Sequence, residues 1–171
     1  MKHIACLLWV GLVPHLGHGA DQTQTIPNRL IDYPGFEKIV RDSGPEREQH
    51  RVGEESFLQM MAQPGVVVLD ARSAANYKLR HIKGAVNLPF TEFTAETLAK
   101  VIPRKDTPVL IYCNNNFLGS PVAFASKTAR ASLNLSTYTS LKAYGYGAIY
   151  ELGPLVEVKE SKIPFEGTEV E

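Results

Sequence analysis

The sequence predicts an α/β domain, a small parallel sheet flanked by helices. Short, wholly apolar runs at residues 66–69 and 109–112 alternate with segments whose apolar residues recur at helical spacing, which is the pattern of a parallel sheet covered by helices. A strand that is apolar at every position is buried on both faces, as parallel strands are. The length of 171 residues, at 44% hydrophobic and 21% charged, suits one ordinary domain with some chain to spare.

The spare chain lies at the front. Lys2 and His3 precede an apolar run over residues 4–13, followed by Pro14 and the small residues Gly17, Gly19 and Ala20. This is the order of a secretory signal peptide, so residues 1–20 are expected to be removed and the protein to be periplasmic or secreted. The run is shorter than the roughly 20 apolar residues a membrane-spanning helix needs, so no membrane association is expected after removal. Cleavage after Gly19 fits better than after Ala20, which would place His18 where a small residue is preferred. Removing Lys2 and Cys6 leaves 17 basic against 18 acidic residues and one cysteine, Cys113. No intramolecular disulfide can then form, and a lone thiol in an oxidising compartment is either buried and inert or kept for its chemistry. The balanced charge gives no field for nucleic acid.

Residues 21–49 are polar and punctuated by Pro27, Pro34, Gly35, Gly44 and Pro45, which reads as a loop-rich N-terminal extension with one helical patch at 36–41. The domain proper is expected over 50–157. Phe57, Met60 and Met61 mark a helix at 54–63, stopped by Pro64-Gly65. A β-branched strand over 66–69 ends in Asp70, a short strand at 85–88 is closed by Pro89, and 91–101 is an amphipathic helix. After the apolar strand 109–112, Ser120-Pro121 reads as an N-cap and first helical residue opening a helix at 122–131. Leu133 and Leu135 alternate with polar residues as a short strand or extended loop. Residues 137–144 form a further helix, 148–152 the last strand, and 158–171 a polar C-terminal tail.

Cys113 carries the chemistry. It directly follows the doubly buried strand, and the loop Asn114, Asn115, Asn116, Phe117, Leu118, Gly119 leads on to Ser120-Pro121. Ligands of open α/β sheets sit at the carboxyl ends of strands. A thiol there, beside loop N–H groups and a helix N-terminus, is placed for a lowered pKa, and the thiolate is the nucleophile. The three Asn serve either a turn that tolerates left-handed φ or contact with an anion. No nucleotide fingerprint appears, and His50 and His81 are scattered, so neither cofactor nor metal is expected.

A longer pattern surrounds this cysteine. Leu69-Asp70-Ala71-Arg72, then Tyr77, then Arg80-His81-Ile82-Lys83-Gly84-Ala85-Val86-Asn87-Leu88-Pro89 resemble the rhodanese domain family. The resemblance covers about residues 51–156 and implies a rhodanese-like fold. It also implies that Cys113 is the active-site cysteine, with residues 114–119 as the loop that holds the sulfur and its leaving group. Asp70, Arg72 and His81 are read as structural, pinning loops and capping backbone, and Gly84 as a turn that a Cβ would hinder.

The chain departs from the family at one point. The common family loop carries a basic residue after four intervening positions, where Leu118 stands here, and the longer-loop relatives carry Arg where Gly119 stands. Phosphoryl transfer depends on such a clamp, so phosphatase chemistry is not expected. Sulfur transfer needs only an activated thiolate, a sulfane-sulfur anion such as thiosulfate as donor, and a thiophilic acceptor. The alternative is a rhodanese-like binding or redox-partner module in the periplasm that lost turnover with the arginine.

Overall fold

In a computed structural model of the chain, residues 26–170 are described; the expected signal peptide, residues 1–20, lies outside them. Two units are distinguished, the first ending at Ile31 and the second running from Asp32. In the first, residues 26–31 are exposed, and Asn28 organises a turn by accepting from the Leu30 and Ile31 N–H groups.

The second unit is built on a five-stranded sheet, all of it parallel. Its strands are β1 (Arg51–Val52), β2 (Val67–Asp70), β4 (Val86–Asn87), β5 (Val109–Tyr112) and β7 (Ile149–Leu152), in the spatial order β1-β7-β5-β2-β4. Two small pairs stand beside it: β3 (His81–Ile82) antiparallel to β9 (Phe165–Glu166), and β6 (Phe117–Leu118) parallel to β8 (Val156–Glu157). The helices are α1 (Tyr33–Gln49), α2 (Glu54–Met61), α3 (Ala74–Leu79), α4 (Ala95–Val101) and α5 (Leu133–Ala143). No described helix is long and apolar enough to cross a membrane.

Strand β5 sits at the centre and is buried at every residue, as its composition requires. Alternation divides its side chains between two cores. Leu110 and Tyr112 join Phe57, Phe117 and Phe124 on one face, while Val109 and Ile111 join Leu98, Tyr138 and Leu141 on the other. The second face is covered by α4 and α5.

Four expectations from sequence are corrected. Residues 33–49 form a helix rather than a loop: Asp32 caps it by accepting from the Gly35 N–H, so Pro34 falls in the first turn, where its missing donor costs nothing. Pro45 lies deeper, but the last turns are held from outside by ion pairs from Glu46 to Lys142 and from Arg47 to Glu151. The C-terminal segment is no free tail, because Val158 and Ile163 are buried in the first core and β9 pairs with β3. Glu54 anchors it, its carboxylate accepting from the Ser161 hydroxyl and the Lys162 and Ile163 N–H groups. The Ser161 hydrogen bond, opposed by burial and helped by the two backbone donors, holds the Glu54 carboxyl below its usual range.

The third correction concerns residues 122–131, where a helix was expected. Only one turn forms, Phe124 N–H to Ser120 C=O, followed by irregular chain and a 3-10 turn at Ala129–Ala131. Tertiary contacts take the backbone partners that a helix would use: the Ala123 carbonyl accepts from Arg72, and Lys127 exchanges two hydrogen bonds with the Asn115 carboxamide. Phe124 meanwhile packs on Phe117 and Phe165. The fourth is that Leu133 and Leu135 open α5 instead of forming a short strand or extended loop.

The structural residues behave as read from sequence. Arg72 and Asp70 are fully buried and form a forked pair, with Arg72 Nε 2.9 Å from Asp70 Oδ1, while Arg72 also donates to the Ala123 and Arg80 carbonyls. His81 stacks on Tyr77 and its Nδ1 lies 2.7 Å from the Tyr77 carbonyl. Gly84 has φ +78°, a conformation that strains any residue with a Cβ. Asp70→Asn would leave the Arg72 charge uncompensated in the core and is expected to lower unfolding free energy by about 3–5 kcal/mol, measured by urea unfolding.

Candidate active site

Parallel strands in register point their side chains the same way, so Arg51, Glu151 and Ile111 form a row across β1, β7 and β5. Cys113, two residues beyond Ile111 and still extended at φ −148°, stands on that same face at the carboxyl end of β5. It lies in the wall of a cavity of about 320 Å³ shared with Arg47, Arg51, Asn115, Asn116, Ser132 and Glu151 among others. The residue is only 1% exposed. Its Sγ is 3.4 Å from Ser132 Oγ, a hydroxyl that can donate to a thiolate.

The loop expected to cradle the sulfur splits into parts with different tasks. Asn114–Asn116 is a 3-10 turn that starts at Cys113, and the first N–H groups of any such turn lack partners within it. Asn116 is buried and fully used: its Oδ1 accepts from the Cys113 N–H at 2.8 Å, and its Nδ2 donates to the Leu152 and Pro154 carbonyls. Asn115 is tied to Lys127. Asn114 instead lines a second cavity, of about 430 Å³, with Ser73, Phe90 and Lys127.

Phe117, Leu118 and Gly119 lead away from the thiol. Phe117 is a core side chain, Leu118 pairs in β6 with Glu157 of β8, and Gly119 turns the chain at φ +82° beside the Glu157 carboxylate. None of the three lines the Cys113 cavity. The loop thus supplies the thiol's mounting, and the expected helix dipole at Ser120 is absent because residues 122–131 are not helical.

Charge reaches the cavity from elsewhere. Arg47 at the end of α1 donates to Oε1 of the buried Glu151 carboxylate at 2.8 Å, with the other carboxylate oxygen 2.6 Å away, and keeps an Nε–H that is buried without a partner among the described residues. Arg51 in β1 donates to Glu48 at 3.1 Å and to the Gly153 carbonyl at 3.3 Å. Asn134 of α5 links the two halves, its Nδ2 donating to Asn116 Oδ1 and to Glu151 Oε1. A hydrogen-bond chain therefore runs from Arg47 through Glu151, Asn134 and Asn116 to the Cys113 amide. Tyr112, just before the cysteine, points to the opposite face and donates to Asp70. Burial, then the Asp70 charge, raises its phenol well above the usual range, which keeps it neutral.

Arg47, Arg51, Ser132, Asn134 and Glu151 escaped the sequence reading. One signal for them was present: Glu151 interrupts an apolar strand, and a charge in a buried strand requires a partner.

The Rhodanese-like domain family matches residues 54–152, which span β5, Cys113 and the closing strand. This chain belongs to that family. The rhodanese-like domain is 37% identical over 46 residues to the Thiosulfate sulfurtransferase PspE of Escherichia coli (strain K12), a match that covers 27% of this chain and 43% of that relative. Among solved structures, a protein from Bacillus halodurans is similar at TM-score 0.50 and 17% identity, covering 78% of this chain and 88% of that one, and shares the fold. A protein from Anabaena sp. has TM-score 0.48 and 18% identity over 70% of this chain and 94% of its own.

Asn116→Ala in the rhodanese-like domain would strip partners from the Cys113 N–H and the Leu152 and Pro154 carbonyls. It is expected to cost at least about 2 kcal/mol of stability, since each buried orphan costs about 1–3 kcal/mol. Asn115→Ala, whose lost bonds are exposed, should cost less than about 1 kcal/mol by the same measure. Urea unfolding of both variants checks the difference.

Proposed function

We propose that this chain is a sulfurtransferase in which Cys113 takes a sulfane sulfur from a thiosulfate-like anion and passes it to a thiophilic acceptor. The observation that carries the reading is the placement of Cys113 at the carboxyl end of the central buried strand, its sulfur in a cavity wall beside the Ser132 hydroxyl. Membership of the rhodanese-like family and the partial likeness to a thiosulfate sulfurtransferase support it.

The step balances without an outside oxidant. The Cys113 thiolate attacks the sulfane sulfur, a sulfur–sulfur bond forms to Cys113, and the sulfur–sulfur bond of the donor breaks. Sulfite leaves with the electron pair, and Cys113 holds a persulfide. A nucleophilic acceptor then takes the outer sulfur and returns the thiolate. Ser132 can stabilise the thiolate in both halves by donating its hydroxyl hydrogen.

The 1% exposure of Cys113 and the use of Asn115 and Asn116 within the fold favour a second reading, a binding or redox-partner module without turnover. Intact-mass and peptide measurements after incubation with thiosulfate, then with cyanide, separate the two. Sulfur transfer predicts a gain of one sulfur on the Cys113 peptide that cyanide removes, absent in Cys113→Ser. A folded protein that gains nothing supports the module. The same spectra test export: in a host with a secretion system, the chain should begin at Ala20 or Asp21.

A further inference from the structure

We infer that Arg51 of β1 supplies the cation for the anionic end of the sulfur donor, replacing the loop arginine that Leu118 and Gly119 do not provide; this rests on the sulfur-transfer reading above. Among the described residues, three charged side chains line the Cys113 cavity: Arg47, Arg51 and Glu151. A carboxylate beside a thiol that must receive an anion would repel it. Glu151 is nevertheless tolerated because Arg47 pairs with it at 2.6 Å, both side chains largely buried, while the other terminal nitrogen of Arg47 reaches the exposed Glu48 carboxylate at 3.2 Å. That pair cancels and leaves Arg51 as the surplus charge of the wall.

Arg51 is free to act. Its partners are Glu48, whose side chain is 61% exposed, and the Gly153 carbonyl at 3.3 Å. A solvated pair of this kind holds weakly and exchanges readily for a better anion. Glu48 itself is not in the cavity wall. A guanidinium offers forked donors that match sulfonate or carboxylate oxygens. Register places Arg51 opposite Glu151, which in turn lies opposite Ile111, two residues from the thiol. An anion seated on Arg51 therefore faces the row at whose end Cys113 stands. The guanidinium holds the sulfonate end of thiosulfate while the sulfane sulfur meets Cys113 Sγ, and it retains the departing sulfite until the bond is broken. Arg51 is thus a substrate-binding residue supplied by β1, outside the active-site loop.

The test uses the full-length chain and two reagents of similar size, anionic iodoacetate and neutral iodoacetamide, with modification read on the Cys113 peptide by mass spectrometry. The ratio of the two rates cancels any change in how open the cavity is. Arg51→Gln is expected to lower the iodoacetate-to-iodoacetamide ratio about five- to tenfold, the loss of one nearby charge, and Arg51→Lys to restore most of it. The KM for thiosulfate should rise about tenfold in Arg51→Gln while kcat stays within about twofold, the mark of lost binding. An unchanged ratio in Arg51→Gln, or a Cys113 that neither reagent reaches in the folded protein, overturns the assignment. If the ratio falls but the parent chain never gains sulfur from thiosulfate, the anion site stands and the sulfur-transfer reading fails. If sulfur transfer occurs with ratio and KM untouched by Arg51→Gln, the reverse holds.

Discussion

A strand covered on both faces must hand its backbone over to a loop without leaving polar groups dry, and at the end of β5 the Asn116 carboxamide makes that possible. It accepts from the Cys113 N–H and donates to the carbonyls of Leu152, the last residue of β7, and of Pro154 just beyond it, so one side chain closes the end of the sheet where the thiol sits. Buried donors and acceptors are almost always paired, and an amide with both functions is the compact way to pair three at once. Because these bonds fix Cys113 in extended geometry, its side chain faces α5 and the Arg51–Glu151 row instead of the aromatic core behind Tyr112.

The same constraint explains the buried charges. Glu151 accepts from Asn134, which also donates to Asn116, so the carboxylate steadies the amide network. A lone buried carboxylate is costly, and Arg47 at the end of α1 neutralises it. Helix α1 is thereby tied to the site it borders, a relation further secured by the pair between Glu46 and Lys142 of α5. On the other face, Asp70 and Arg72 perform a comparable service for the segment after the loop, drawing in the Ala123 carbonyl. Two ionic networks, one on each side of the sheet, thus hold the loop by its two ends.

Most of the sheet was legible in the sequence, because a parallel strand buried on both faces leaves a local mark: Val109–Tyr112 is wholly apolar, Val67–Asp70 is apolar up to its final Asp70, and Ile149–Leu152 is broken only by Glu151. Cys113 was legible for the same reason, as the residue at which such a run ends. The rest was set by partners distant in sequence. Residues 122–131 have helical composition, but Arg72 and Asn115 capture their backbone and the core takes Phe124. Helix α1 was obscured because Pro34 and Pro45 look like breakers unless the cap at Asp32 and the distant ion pairs are known. The loop residues 117–119 were assigned to the site by their nearness to Cys113 in sequence, whereas pairing with β8 carries them away. Arg51 and Glu151 converge only through the register of β1 and β7, which no short-range pattern encodes.

Sulfur transfer through Cys113 turns on where a second sulfur would go. A crystal structure of the protein after exposure to thiosulfate tests it most directly. The expected result is density for one added sulfur on Cys113 Sγ, projecting into the cavity bounded by Ser132 and Arg51. An unmodified Cys113, or a sulfur directed towards the cavity of Asn114 and Phe90, would contradict it.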